Sequence, residues 1–131
     1  MEGRLGSINA AVDLCNVVSL HSQFPISLVD VAKLEEPLGI GLPDKGTSYI
    51  FNASGQEIDI GGLISLRDAA GWCANGVKDS QRTKTTQSTQ RTLTVIWGTR
   101  DHADRLSQAT RWYHELAVRL EWGVQPTHAS L

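Results

Sequence analysis

Along residues 8–21 apolar side chains recur at helical spacing: Ile8, Ala11, Val12 and Cys15, with Leu14, Val17 and Val18 widening the stripe. Ser7 stands at the position of an N-cap. A helix this apolar is expected to be buried, and Asn9, Asp13 and Asn16 lie inside the pattern. Each must then find a hydrogen-bond partner, because burying an unpaired polar group costs about 1 to 3 kcal/mol. These polar groups either tie down neighbouring backbone or point into a pocket. Pro25 ends the helix, since the residue before a proline is pushed out of helical geometry.

The pattern then changes period. A short helical turn is expected over 29–34, and strands over 38–42, 47–51, 57–60 and 63–68. Turn chemistry separates them at Pro43–Gly46, Asn52–Gly55, Gly61–Gly62 and Ala69–Gly71. Residues 72–77 read as a return strand, bulged around Asn75 and Gly76. Residues 78–90 hold almost no apolar side chain and read as a surface loop. Residues 92–98 form a strong strand whose long apolar end predicts burial on both faces. A closing helix is expected over 102–122. Its stripe is Ala103, Leu106, Ala109 or Thr110, Tyr113, Leu116, Ala117 and Leu120. Arg105, Gln108, Arg111, Glu115 and Arg119 face water, Gly123 caps the end, and 123–131 form a loose tail.

Helix, several short strands and a final helix are not a β-α-β alternation. The expected fold class is α+β: an N-terminal buried helix, a mixed or antiparallel, barrel-like sheet of short strands, and a C-terminal amphipathic helix. At 131 residues the chain is one domain, residues 1–131, with an ordered core over about 5–122.

Composition narrows the function. A net charge of −2 opposes binding to nucleic acid through bulk electrostatics, although a local basic patch remains open and DNA is not expected as a partner. The four histidines show no ligand spacing, so neither a metal nor another cofactor is expected. Cys15 and Cys73 are far apart and read as free thiols, as in a cytoplasmic protein. No apolar run approaches the length of a membrane span. Lys78, Arg82, Lys84 and Arg91, interleaved with five Thr or Ser residues between 83 and 89, either form a solvated loop or touch an RNA backbone. That loop has no aromatic residue for base stacking. No His or acid partner can be assigned to Cys73, which reads as a packed thiol. Trp72, Trp97, Trp112 and Trp122 read as core or interface anchors.

The run I-N-A-A-V-D-L-C-N-V-V-S-L followed by P-I-S-L-V-D resembles the B3/B4 domain of the phenylalanyl-tRNA synthetase beta subunit, and more closely the free-standing proteins built from that domain. D-V-A-K-L, L-I-S-L-R-D-A-A-G and the Thr-rich run into T-L-T-V-I-W-G follow in the family's order, over about residues 5–120. The resemblance implies tRNA editing: hydrolysis of tyrosine wrongly attached to the phenylalanine tRNA, a second sieve where binding energy alone does not discriminate. Water attacks the ester, and no Ser-His-Asp triad is required.

By the same resemblance, Cys15 and Asn16 occupy the positions of a Thr-Asn pair in the editing pocket, and Ser27 that of a pocket histidine. Serine can donate a hydrogen bond but does not titrate near neutral pH. His21 is either a surface residue or a substitute for that histidine. Asn16 either satisfies a turn or lines the pocket, and Asn9 and Asp13 are structural polar groups. Asn75, Gly76, Asp79 and Ser80 occupy the region of the family's Gly-Gly and acidic positions. The family's domain carries a further portion ahead of the first helix, so a homodimer, or a partner chain covering that surface, is expected. Two functions remain: a trans-editing aminoacyl-tRNA deacylase, or a non-catalytic module binding RNA, a small ligand or a protein.

Overall fold

The computed structural model describes residues 8–120. The expected caps Ser7 and Gly123, Trp122, the tail and both outer ends of the expected ordered core lie outside the described residues. Helix α1 (Ile8–Ser22) is followed by strand β1 (Ile26–Asp30) and a 3-10 turn (Val31–Lys33). Strands β2 (Gly39–Gly41), β3 (Ser48–Ile50), β4 (Glu57–Asp59), β5 (Ser65–Asp68) and β6 (Gly71–Asn75) come next. A 3-10 turn (Gln81–Thr83), β7 (Thr92–Ile96), a 3-10 turn (Arg100–His102) and α2 (Ala103–Arg119) follow among the described residues.

The class is α+β, as the pattern predicts. All strand pairs are antiparallel, in three small sheets ordered β1-β7, β2-β5-β6 and β3-β4. They do not close into a barrel, which corrects that part of the expectation. The strands are too short to close one: several hold only three residues.

β1 is the element the sequence reading passed over. Its residues follow Pro25 and precede a helical turn, and the apolar alternation is only five residues long. Its partner lies far along the chain, with Ile26 opposite Ile96 and Asp30 opposite Thr92. That ribbon organises the molecule. Successive strand residues point to opposite faces. Ile26, Leu28 and Ile96 therefore pack on the helical core of Ile8, Ala11, Leu14, Cys15, Val18, Phe24, Ala109, Tyr113 and Ala117. Val29, Leu93, Val95 and Trp97 pack on the second core, with Leu66, Cys73 and Ala74 of β5 and β6. The order of layers is helices, ribbon, sheet. β7 is mostly half-buried rather than covered on both faces.

α1 is buried on one face only. Asn9, Asp13 and Asn16 are exposed, and so are Val12, Val17 and Leu20, at 38%, 44% and 77%. The expectation of buried polar groups is thus corrected: the apolar stripe that packs is narrower than the apolar pattern. The helix stops at Gln23, which takes a left-handed conformation (φ 65°) and returns its N–H to the Ser19 carbonyl at 2.8 Å. On α2 the packed stripe runs from Leu106 to Ala117, while Ala103 and Leu120 are exposed.

Residues 78–90 are not a free loop. Ser80, Thr83 and Thr89 are buried, and Val29 bridges to Lys84 across the ribbon. Thr89 donates its hydroxyl to Asp30 Oδ2 at 2.8 Å, and Asp30 also accepts from the Ala32 N–H at 3.0 Å. Hydroxyl side chains, which the composition presents as solvated, here replace backbone pairing for a segment without a ladder of its own.

Candidate functional site

Ser27 is the residue from which the polar centre is built. Strand alternation turns its side chain away from the helices and onto the sheet side of the ribbon, fully buried. Its hydroxyl lies 2.6 Å from Asp79 Oδ1 and 3.0 Å from the Asn75 carbonyl, and accepts from Trp97 Nε1 at 2.9 Å. The single proton is best spent on the carboxylate, the shorter and charge-assisted contact. Burial raises Asp79 above the usual carboxylate range, against hydrogen bonds from Ser27 and from the backbone N–H groups of Leu28 and Asn75, and against the nearby charge of Lys84.

Asn75 completes the cluster. It is 3% exposed, and its Oδ1 accepts the N–H groups of Val77 (2.8 Å) and Lys78 (2.9 Å), which fixes the orientation of the amide. Its Nδ2 is buried with no hydrogen-bond partner among the described residues. An orphaned buried donor costs about 1 to 3 kcal/mol unless a ligand or water satisfies it.

Cys15 and Asn16 do not join this centre. Cys15 lies on the helical side of the ribbon, opposite to Ser27, beside Tyr113 and Thr94. Tyr113 Oη and Thr94 Oγ1 are 2.8 Å apart. Burial, and then the charge of Asp79, pushes the Cys15 thiol up to about 12, so it is a neutral thiol rather than a nucleophile. Asn16 faces solvent, as do Asn9 and Asp13. The three pocket positions implied by the resemblance therefore occupy a core, a second core and the surface. His21 is exposed and packs edge-on against Trp112 with ring centres 5.7 Å apart, distant in the fold from Ser27. Trp97, read from sequence only as an anchor, is the residue that fills the space beside Ser27. Its signal was its place one residue past a strand with an inward-facing partner.

The basic residues of 78–91 divide. Arg82 makes a two-pronged ion pair with the buried Asp68, at 3.0 and 2.9 Å, and also reaches Cys73 Sγ at 3.4 Å. Burial alone would raise the Asp68 carboxyl, but Arg82 and the N–H groups of Glu35 and Ala70 hold it well below the usual range. Cys73 is buried, and burial raises its thiol too. Lys84 donates to the Phe51 carbonyl. Lys78 is exposed, with its ammonium 5.5 Å from the centre of the Phe51 ring. Arg91 is exposed at the start of β7. Arg82 and Lys84 are thus structural ties first, which a sequence without contacts does not reveal.

Two surface hollows have other linings. One, of about 320 Å³, lies between the end of α1 and α2, with His21, Arg105 and Trp112 on its walls. The second, of about 370 Å³, lies against β3, β6 and the 81–83 turn. No group of three metal-ligating side chains and no helix long and apolar enough to cross a membrane occurs among the described residues.

The architecture defines the chain as a small α+β domain with a buried Ser-Asp-Trp centre. Its sequence matches the B3/4 domain over residues 1–131, and the chain belongs to that family, the domain found in the phenylalanyl-tRNA synthetase beta subunit. In synthetases this domain is associated with RNA binding and tRNA editing. No curated protein matches the chain.

Proposed function

We propose that this B3/4 chain is an RNA-associated binding module that engages tRNA or its aminoacylated end without cleaving it. The observation that carries this reading is the state of Ser27: at the position where the family resemblance puts a pocket histidine, the side chain is fully buried, held between Asp79 and Trp97. A hydroxyl so committed is not free to hold a substrate or its attacking water as a pocket histidine would, and Cys15 is packed in the other core. The free thiols of Cys15 and Cys73 support a cytoplasmic setting.

A second reading, trans-editing hydrolysis, is favoured by two specific observations. Asp79 is a half-buried carboxyl shifted toward the proton-holding form, as a general base or acid requires, and Asn75 Nδ2 is a donor awaiting an acceptor. One experiment separates the two. Purified protein is mixed with tyrosyl-tRNA(Phe) and, in parallel, with phenylalanyl-tRNA, and both retained tRNA and released amino acid are measured. Binding of the charged tRNA with hydrolysis no faster than buffer is the expected result. Release of tyrosine that spares phenylalanine and disappears in Asp79→Asn would replace the binding module with the editing enzyme.

A further inference from the structure

The hollow of about 370 Å³ beside β3 is built from Tyr49 and Ile50 of that strand, Trp72 of β6, and Ser80, Gln81 and Arg82 around the 3-10 turn. Two bonds clasp its walls together from opposite ends: the Tyr49 hydroxyl donates to the Lys78 carbonyl, and Lys84 donates to the Phe51 carbonyl. The β3-β4 hairpin is thereby fixed against the segment carrying Gln81, and the hollow is preformed. Trp72 is seated against β2: a Cβ on Gly41 would stand 3.2 Å from its ring, so glycine lets the indole lie on the strand. Trp72 itself is half-buried and Ile50 is 45% exposed, leaving aromatic surface open to a ligand between them.

We propose that this groove holds one unpaired base of a single-stranded RNA segment, its phosphates lying along Lys78 and Lys84. This deepens the RNA-associated reading above, on which it rests. The indole of Trp72 and the ring of Tyr49 offer flat π-surfaces, which suit any base. The Gln81 amide offers both a donor and an acceptor at the wall. The rim is cationic: Lys78 and Lys84 place their ammonium groups on a ring face and a carbonyl, neither of which cancels their charge. Of the nearby acids, Asp68 is neutralised by Arg82, Asp79 turns inward to Ser27 while still facing the charge of Lys84, and Glu57 is exposed opposite Ile50 across the hairpin. The basic run 78–84 has no aromatic residue of its own; the fold supplies two from β3 and β6.

The test is fluorescence anisotropy of a 5′-labelled oligoadenylate hexamer, and of the same hexamer with abasic sugars, against the full chain and two variants. Ile50→Glu adds a negative charge at an exposed rim position, opposite Glu57, with circular dichroism as the check on folding, and Gln81→Ala removes the polar wall. Intact hexamer bound about tenfold or more tightly than the abasic one, and weakened about tenfold in Ile50→Glu, is the expected result, since each stacked base contributes on that scale. Gln81→Ala weakens binding less, with circular dichroism unchanged in both variants. Equal binding of intact and abasic hexamers, or full binding by Ile50→Glu, overturns the groove while leaving the RNA reading in place. Failure of the wild-type chain to bind either hexamer or whole tRNA overturns the RNA reading and the groove with it.

Discussion

Two aspartates set opposite pH dependences within one small domain. Asp68 is held below its unfolded value by Arg82 and two backbone N–H groups. The stability it gives is therefore fully present above the unfolded pKa, near 3.9, and is lost as the pH falls toward the folded value. Asp79 is raised by burial. Its contribution is fully present below the unfolded value and is lost as the pH rises through the folded one. Urea unfolding from pH 3 to 7 checks both signs. The advantage of wild type over Asp68→Asn shrinks as the pH drops below about 5, while wild type loses ground to Asp79→Asn as the pH climbs above about 4. Removing Arg82 strands a buried carboxylate. Arg82→Ala is expected to lower stability at pH 7 by about 2 kcal/mol, less than the 3 to 5 of a fully buried pair, because the arginine side chain is 39% exposed.

At the scale of elements, the β1-β7 ribbon and the β3-β4 hairpin are placed by different forces. The ribbon is sandwiched between two cores, so burial fixes its register: a one-residue slip would exchange Ser27 for Leu28 on the sheet side. The hairpin contributes no residue to either core and depends on close backbone approach and on hydrogen bonds. At Gly61 an added Cβ would lie 2.9 Å from Lys45 Cα and 3.0 Å from the Asp44 carbonyl. The Gly61 N–H also donates to Asp59 Oδ1 at 2.9 Å, so the turn cannot move away without losing that bond. Gly61→Ala is expected to cost about 1 to 3 kcal/mol, read as a shift of the urea midpoint at unchanged slope.

For the whole molecule, the outer face of α1 is the surface that bears on assembly. Val17 and Leu20 are exposed neighbours one turn apart, Val12 is exposed on the other side of Asn9, Asp13 and Asn16, and Leu20 is 77% exposed. Single exposed apolar residues need no explanation, but several on one helical face mark an interaction surface. A two-fold dimer through this face is the expected state. Sedimentation velocity at micromolar concentration checks it: wild type as a dimer, Leu20→Lys as a monomer of unchanged circular dichroism. A monomeric wild type would release this face for a different partner.

Among the described residues, both helices, six of the seven strands and the α+β class are legible in the chain, because each depends on local periodicity and turn chemistry written in consecutive residues. The sequence also determined the family, through the order of its motifs. β1 escaped because a five-residue strand is specified by its partner, β7, far along the chain, not by its own pattern. The site escaped for the same kind of reason. Cys15, Asn16 and Ser27 look like neighbours in a motif, but strand alternation and the narrow packed stripe of α1 send them to three different environments. Packing alone decides which cations are neutralised and which are only tethered: Arg82 is paired with Asp68, whereas Lys84 is held by the neutral Phe51 carbonyl. Only it brings Asp79, Asn75 and Trp97 to Ser27, since burial and hydrogen bonding between distant segments have no signature in local sequence.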